Sequence, residues 1–541
     1  MNAPSRYAPF CLCLALFAAS AVAAPAWPWA WATTGVFGAL SLLGLLDLLQ
    51  RRHSIRRNYP IIGHIRWLAE SVRPEIRQYL FEADQDAAPF SRSQRSLVYQ
   101  RAKGEAGEHP FGTLLDVYRD GYEFVGHSMA PSVPADPATF RIRIGGPQCA
   151  KPYSASVFNI SAMSFGSLSA NAIRALNAGA KKGDFSHDTG EGSISPYHLE
   201  AGGDIVWEVG SGYFGCRTAD GAFDRETFAQ QAALPSVKMI EIKLSQGAKP
   251  GHGGVLPAAK VTSEIAATRG VPMGKDCISP ARHSAFSTPL ELMRFISDLR
   301  SLSGGKPVGF KLCIGLPWEF MGIAKAMLET GITPDFIVVD GAEGGTGAAP
   351  TEFSDHIGAP MREGLLFVHN VLVGAGLRDK VRVGAAGKIV SAFDIASVLA
   401  IGADWANAAR GFMFALGCVQ SVSCDSNRCP TGIATQDRTR QAALVVPDKA
   451  ERVYNFHRQT LRALADMLAA AGLEHPDDLK PQHLVRRVSA TEIAQFDQLH
   501  TFLKPGELIG GVGGDGFYAT SWRRASAMGF HGAAEPATRG A

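Results

Sequence analysis

Three cysteines stand close together late in the chain: Cys418, Cys424 and Cys429, the last followed by Pro430. Thiolates at such short spacing can enclose one small inorganic centre, and a proline directly after the last ligand recurs in iron–sulfur runs. Three thiolates suit a 3Fe–4S cluster; a structural zinc ion wants a fourth ligand. No histidine lies between Cys418 and Cys429, and the next one downstream, His457, falls in a predicted helix. The alternative is three unrelated buried thiols, a common fate for single cysteines.

Further segments carry polar chemistry between glycines. Asp340–Pro350 contains Gly344, Gly345 and Gly347, whose freedom at positive φ and bare backbone N–H groups suit a ligand's polar edge. The string from Lys243 to Gly254 begins with a lysine that alternates with Ile242 and Leu244, so it faces away from them. An inward lysine is costly unless it meets an anion, and a carboxylate would serve. Glu191 stands between Gly190 and Gly192, suited to an ammonium or imine. Gly384–Lys388 and the segment ending at Arg410 offer Gly387, Lys388 and Arg410 as phosphate donors. A plain turn, a solvated acid or a solvent lysine is the bland alternative at each loop.

Positioning these residues requires a scaffold. From about Phe140 to Gln436 short apolar runs alternate with amphipathic ones, predicting strands at 157–161, 239–244, 308–314, 336–340, 381–383 and 405–408. Helices are predicted at 170–181, 290–301, 318–330, 364–375 and 392–401. Strand-then-helix repetition implies a parallel sheet, and this length suits an α/β fold of the (β/α)8 TIM barrel type, with an open doubly wound sheet as runner-up. In a barrel, chemistry gathers at the strands' C-terminal ends. Ser164, Lys243, Gln246, Lys311 and Asp340 all fall there.

The rest of the chain sets the context. Of 541 residues 46% are hydrophobic and 19% charged, and the net charge of +3 excludes an evident nucleic-acid surface. Nine cysteines, most of them scattered, do not form a disulfide scaffold and suit a reducing compartment. Two apolar runs, about 10–24 and 29–49, flank Pro25 and Pro28 with Trp27, Trp29 and Trp31 nearby, and Arg51, Arg52, Arg56 and Arg57 follow. We read a transmembrane hairpin with the body in the cytoplasm, at the inner membrane. A cleaved signal peptide ending near Ala24 is the alternative, weakened by an n-region whose one basic residue is Arg6. The expected domains are 1–50 (membrane anchor), 51–135 (lead-in, with helical spacing at 71–83), 136–445 (barrel) and 446–541 (C-terminal helical region). The end, from Phe530 to Ala541, reads as frayed.

With these motifs assembled, the stretch from about Ser161 to Gln436 resembles the synthase domain of glutamate synthase. The matching strings, in the same order, are Ser161–Ser167, Gly190–Gly192, Ile242–Gly251, Lys311–Leu312, Gly344–Ala348, and Cys429–Pro430 with Gly432–Gln436. The resemblance implies a barrel with FMN at its mouth and a 3Fe–4S cluster close by, held by Cys418, Cys424 and Cys429. It implies reductive amination of 2-oxoglutarate to glutamate, with Lys243 and Gln246 on the 2-oxo acid and Glu191 assisting the imino group. Met163, Ser164, Gly344, Gly345 and the Gly387, Lys388 and Arg410 region would contact flavin and phosphate, and Lys311 its N1/O2 edge. Departures are His252 where the family has an acid, Ser193 after Gly192, and Gly384-Ala385-Ala386 for paired glycines. With an apolar segment in place of a glutaminase nucleophile, ammonia is expected to be free or partner-supplied, and electrons to come from ferredoxin or a membrane donor. The alternatives are an FMN oxidoreductase for another 2-oxo or 2-hydroxy acid, and a membrane-attached electron-transfer module.

Overall fold

A computed structural model describes residues 5–85, 88–105, 107, 110–510 and 516–532. The chain forms two compact units, Met1–Pro89 and Phe90–Ala541. The expected boundary at 50 falls inside the first and those at 135 and 445 inside the second. Most of the end expected to fray, from 533 onward, lies outside the described residues.

In the first unit, helices α1 (Ala8–Ala23) and α2 (Ala30–Leu49) pack together where Phe10 meets Gly44. A Cβ at Gly44 would come 2.2 Å from the Phe10 ring, so only glycine allows this approach. By length and composition α2 is long and apolar enough to cross a membrane; α1 is shorter. Helix α3 (Gly63–Ile76) runs into a π-turn at Arg77–Phe81. The helix expected at 71–83 thus begins eight residues earlier.

The second unit is built on a closed barrel of eight parallel strands in sequence order. These are β1 Phe158–Ile160, β2 His187–Asp188, β3 Ile205–Val209, β4 Val237–Lys243, β5 Val308–Leu312, β6 Phe336–Asp340, β7 Arg382–Ala386 and β8 Trp405–Ala408. Closure comes from β8 on β1, with Ala408 level with Ile160. Lys311 is level with Lys243 on the neighbouring strand, which brings two lysines to one layer near the C-terminal rim. The strands are buried on both faces, as parallel strands covered by helices must be.

Local rules set the helices around them. Ser169 caps Ala170–Gly183, its hydroxyl accepting from Ala172 N at 3.3 Å, and Asp184 ends that helix at φ 53°. Thr288 caps Pro289–Leu302 in the same manner. The long helix Val446–Ala470 buries Val453, Phe456, Leu461, Leu464 and Leu468 along one face. It meets Ala170–Gly183 where a Cβ on Gly179 would lie 2.5 Å from Val453, so this helix is packed onto the barrel.

Candidate functional site

At the mouth of the barrel Lys243 ends β4 and reaches Glu191 on the loop after β2, with Nζ and Oε1 2.8 Å apart. Their side chains are 10% and 15% exposed. Burial pushes the Glu191 carboxyl up, but Lys243, Arg269 and the Ser279 hydroxyl outweigh it and hold it at about 2. The flanking glycines have a steric cause: a Cβ on Gly190 would lie 2.7 Å from Ser164 N, and one on Gly192 2.8 Å from Arg269. Opposite them, a Cβ on Gly254 would lie 2.0 Å from the Glu191 carboxylate. Gln246 stands half-buried three residues beyond Lys243, where Gly247 N donates to Asp340 Oδ2 at 2.8 Å.

Below this pair the barrel interior is charged. Lys311 is 4% exposed, and its ammonium lies between Glu208 and Glu241, the latter at 3.2 Å. Asp188, Glu208 and Glu241 form the one group of three acidic or metal-ligating side chains whose ligand atoms gather within 4.8 Å among the described residues. Lys311 already occupies a cation's place in it. Burial, then Glu208, raises Asp188 to about 7, and burial lifts Glu241 well above the carboxylate range. Three carboxylates around one ammonium cannot all stay ionised in so dry a place, so the cluster retains a proton. Lys311, expected at a cofactor edge, therefore spends its hydrogen bonds inside the barrel.

The cysteine loop rests on the loop that follows β1. Gln436 Nε2 donates to Gly166 O and Leu168 O, both at 2.9 Å, and Ser169 Oγ donates to Gly432 O at 2.7 Å. Lys260, 2% exposed, bridges the two, donating to Ser167 O and Cys424 O at 3.0 Å each. Burial lowers this ammonium to about 8 despite the attraction of Cys424, Cys429 and Asp425. Three non-glycine residues in the loop, Gln420, Val422 and Asn427, have left-handed backbone. Such conformations cost energy and persist where surroundings enforce them. Burial pushes Cys418 up to about 11 and Cys424 upward too, each with the charge of the neighbouring thiols adding to it. Cys429 goes the other way: burial is outweighed by the Thr431 hydroxyl and by backbone N–H groups of residues 431, 433 and 434. The three thiols thus feel one another without forming a group drawn within 4.8 Å.

The remaining predicted residues line the same rim. Met163 is buried in the β1 loop, and Ser164 Oγ lies 3.3 Å from Arg269 Nη2. Gly344 N donates to Gly341 O, a Cβ on Gly345 would strike Arg410 at 2.6 Å, and Gly347 lies against Cys424. Arg410 Nη2 donates to Glu343 O at 2.7 Å, and its guanidinium lies 4.9 Å from the Phe90 ring centroid. Gly387 packs on Met361, and Lys388 follows with φ 51°. Burial and then the charge of Arg410 lower the Lys388 ammonium, the two residues following β7 and β8. Lys260, Lys249 and Arg269 also belong to this rim, although none of them has an expected role from the sequence. Lys249, 1% exposed, donates to Ala348 O at 3.1 Å and feels both Lys243 and Glu191. The available signal was that both lysines sit in strings otherwise rich in glycine, alanine and proline.

A closed parallel barrel with its charged groups and thiols gathered at the C-terminal rim is an enzyme architecture. Residues 144–474 match the family described as the conserved region in glutamate synthase. The chain is 37% identical over 498 residues to the glutamate synthase large subunit-like protein YerD of Bacillus subtilis, covering 84% of this chain and 94% of that one. It is 34% identical over 324 residues to the archaeal glutamate synthase (NADPH) of Methanocaldococcus jannaschii, 59% of this chain and 60% of that one. It also spans 20% of the glutamate synthase (NADPH) large chain of Bacillus subtilis, at 32% identity. Among solved structures, a mutant flavocytochrome b2 with pyruvate bound aligns over 84% of this chain with a TM-score of 0.40 and 13% identity. The chain belongs to the glutamate synthase family.

Proposed function

We propose that this chain is an FMN- and iron–sulfur-dependent oxidoreductase that converts a 2-oxo acid and ammonia to the amino acid, with 2-oxoglutarate and glutamate as the pair. The observation that carries this reading is the buried Lys243–Glu191 pair, held by glycines at the mouth of the same barrel whose β1 loop supports the later segment that carries the three thiols.

The residues fit both cofactors. For a phosphate-bearing flavin, Lys388 and Arg410 supply two cations after the last two strands, where barrels commonly bind phosphate. Met163, Ser164, Gly344 and Gly345 offer backbone and small side chains on the rim. For the cluster, hydrogen bonds lower the Cys429 thiol from its ordinary range, and the three thiols come from one short loop without closing to the spacing of a single ion. When bound, flavin and cluster supply hydride and single-electron transfer respectively.

The protein's own groups do the rest. Lys243 holds the carboxylate or 2-oxo oxygen of the substrate as a charged donor, with Gln246 as a second, neutral one. Glu191, ionised at neutral pH, accepts from the ammonium or imino N–H and orients it over the site. Lys249 adds positive potential from beneath the loop. Lys311 and the retained proton offset most of the carboxylate charge beneath the mouth, which weakens its repulsion of an anionic substrate. Ammonia comes free or from a partner, and electrons from ferredoxin or a membrane donor, with the hairpin anchoring the chain in the inner membrane and the barrel in the cytoplasm.

The test is to supply anaerobically purified protein with reduced ferredoxin or dithionite, 2-oxoglutarate and ammonium, and to assay glutamate. Glutamate formation that is lost in Lys243→Ala supports the proposal. Flavin reoxidation by a different 2-oxo acid and none by this pair would overturn the substrate assignment.

A further inference from the structure

Helix α3 and the π-turn after it carry an apolar stripe that stands exposed among the described residues of their own unit. Ile65, Leu68, Val72, Ile76, Tyr79 and Leu80 recur at three- and four-residue spacing, so they share one helical face. All are exposed, Leu68 by 65% and Leu80 by 73%. Arg66, Glu70, Arg73 and Arg77 occupy another face. A soluble helix turns such a stripe toward a core.

Three further observations say what covers it. The helix is tied to the end of the apolar helix α2: Asp47, 4% exposed, accepts from His64 Nε2 at 2.9 Å and from Ile61 N at 3.0 Å. α3 therefore leaves the hairpin at the level where the apolar span gives way to arginines. Between residues 51 and 81 there are seven arginines and two glutamates, a charge that favours anionic headgroups. Trp67 faces away from the stripe and is held there by Arg56, whose guanidinium lies 4.8 Å from its ring. That contact fixes the helix's roll, leaving the apolar face free.

We propose that residues 63–81 form an interfacial helix that lies in the surface of an anionic bilayer, with Ile65, Leu68, Val72, Ile76 and Leu80 in the acyl boundary and the arginines among the headgroups. The proposal rests on the membrane-anchor reading of α1 and α2. Apolar insertion and headgroup attraction act together in such helices, so binding depends on lipid charge as well as on the stripe.

The experiment is amide hydrogen exchange on the full chain in nanodiscs, one set of phosphatidylcholine alone and one of phosphatidylcholine and phosphatidylglycerol in equal parts. We expect exchange across 63–81 to slow about tenfold in the anionic discs, as for a helix whose local opening is suppressed. The double variant Leu68→Glu/Leu80→Glu should lose that slowing while still eluting with the disc, and Arg66→Glu/Arg73→Glu should lose the dependence on phosphatidylglycerol. Equal exchange in both discs with the chain still embedded overturns the interfacial helix alone. Slowing that rises with protein concentration in detergent overturns it in favour of a second copy on the stripe. A chain recovered outside the discs overturns the anchor, and this inference with it.

Discussion

Removing the ammonium of Lys243 has a consequence that can be sized. The fall of Glu191 from 4.5 to about 2 corresponds to about 3 kcal/mol in favour of its ionised form. Because the folded value is the lower one, this contribution is complete above pH 4.5 and is lost as pH falls through about 2. In Lys243→Met at neutral pH, burial acts on Glu191 with Arg269 and Ser279 left to oppose it. A substrate acid then loses a charge-assisted hydrogen bond of about 1.5–3 kcal/mol and meets an anion in the same pocket. Affinity for 2-oxoglutarate should fall roughly a hundredfold, at about 1.4 kcal/mol per tenfold. In the double variant Lys243→Met/Glu191→Gln the anion is gone and the loss should shrink to roughly tenfold. The assay is titration of the flavin absorbance of the loaded protein with 2-oxoglutarate, flavin content serving as the control. Unchanged affinity in the single variant, or a double variant as weak as the single, would refute the idea that the pair faces the substrate.

Other outcomes follow from the same geometry. Gly254→Ala puts a methyl 2.0 Å from the Glu191 carboxylate, so glutamate formation should collapse while far-ultraviolet circular dichroism stays unchanged. Lys311→Met leaves Asp188, Glu208 and Glu241 without their cation, which should cost about 3–5 kcal/mol and deplete soluble protein; adding Glu208→Gln should recover part of the yield. Burial holds the neutral imidazoles of His187 and His457 down to about 3 and His283 to about 4, against an ordinary 6.5. At these three histidines the unfolded chain binds more protons, so together they lower stability as pH drops below 6.5 by about 4 kcal/mol per pH unit, while the raised Asp188 and Glu241 carboxyls act in the opposite sense by about 1.4 kcal/mol per unit each. Denaturation midpoints against pH measure this, and His457→Gln should remove about one proton from the slope; a slope between pH 6 and 4 unchanged in that variant would contradict it.

The barrel was legible wherever a strand was apolar and several residues long, as at 336–340 and 405–408, which match the expectation end to end. β2 escaped because it is two residues long, and both of them, His187 and Asp188, are polar. β3 escaped because Glu208 interrupts an otherwise apolar run; its acid is admitted to the interior by Lys311 from a distant strand. Glu191 and the cysteines could be singled out because their signals are local: glycines on both sides of an acid, three thiols in twelve residues. Lys260 and Arg269 were not, since each acts through backbone carbonyls supplied by segments far away in the chain. Sequence spacing carries no trace of such contacts.

We propose above all that the three late thiolates hold an iron–sulfur cluster beside a flavin at the barrel mouth. The most direct test is iron, sulfide and flavin analysis with electron paramagnetic resonance on anaerobically purified protein, unmutated and as Cys424→Ser. We predict flavin together with a three-iron signal in the first, and flavin with that signal lost in the second. Flavin without iron in the unmutated protein, or iron indifferent to Cys424, would contradict the claim.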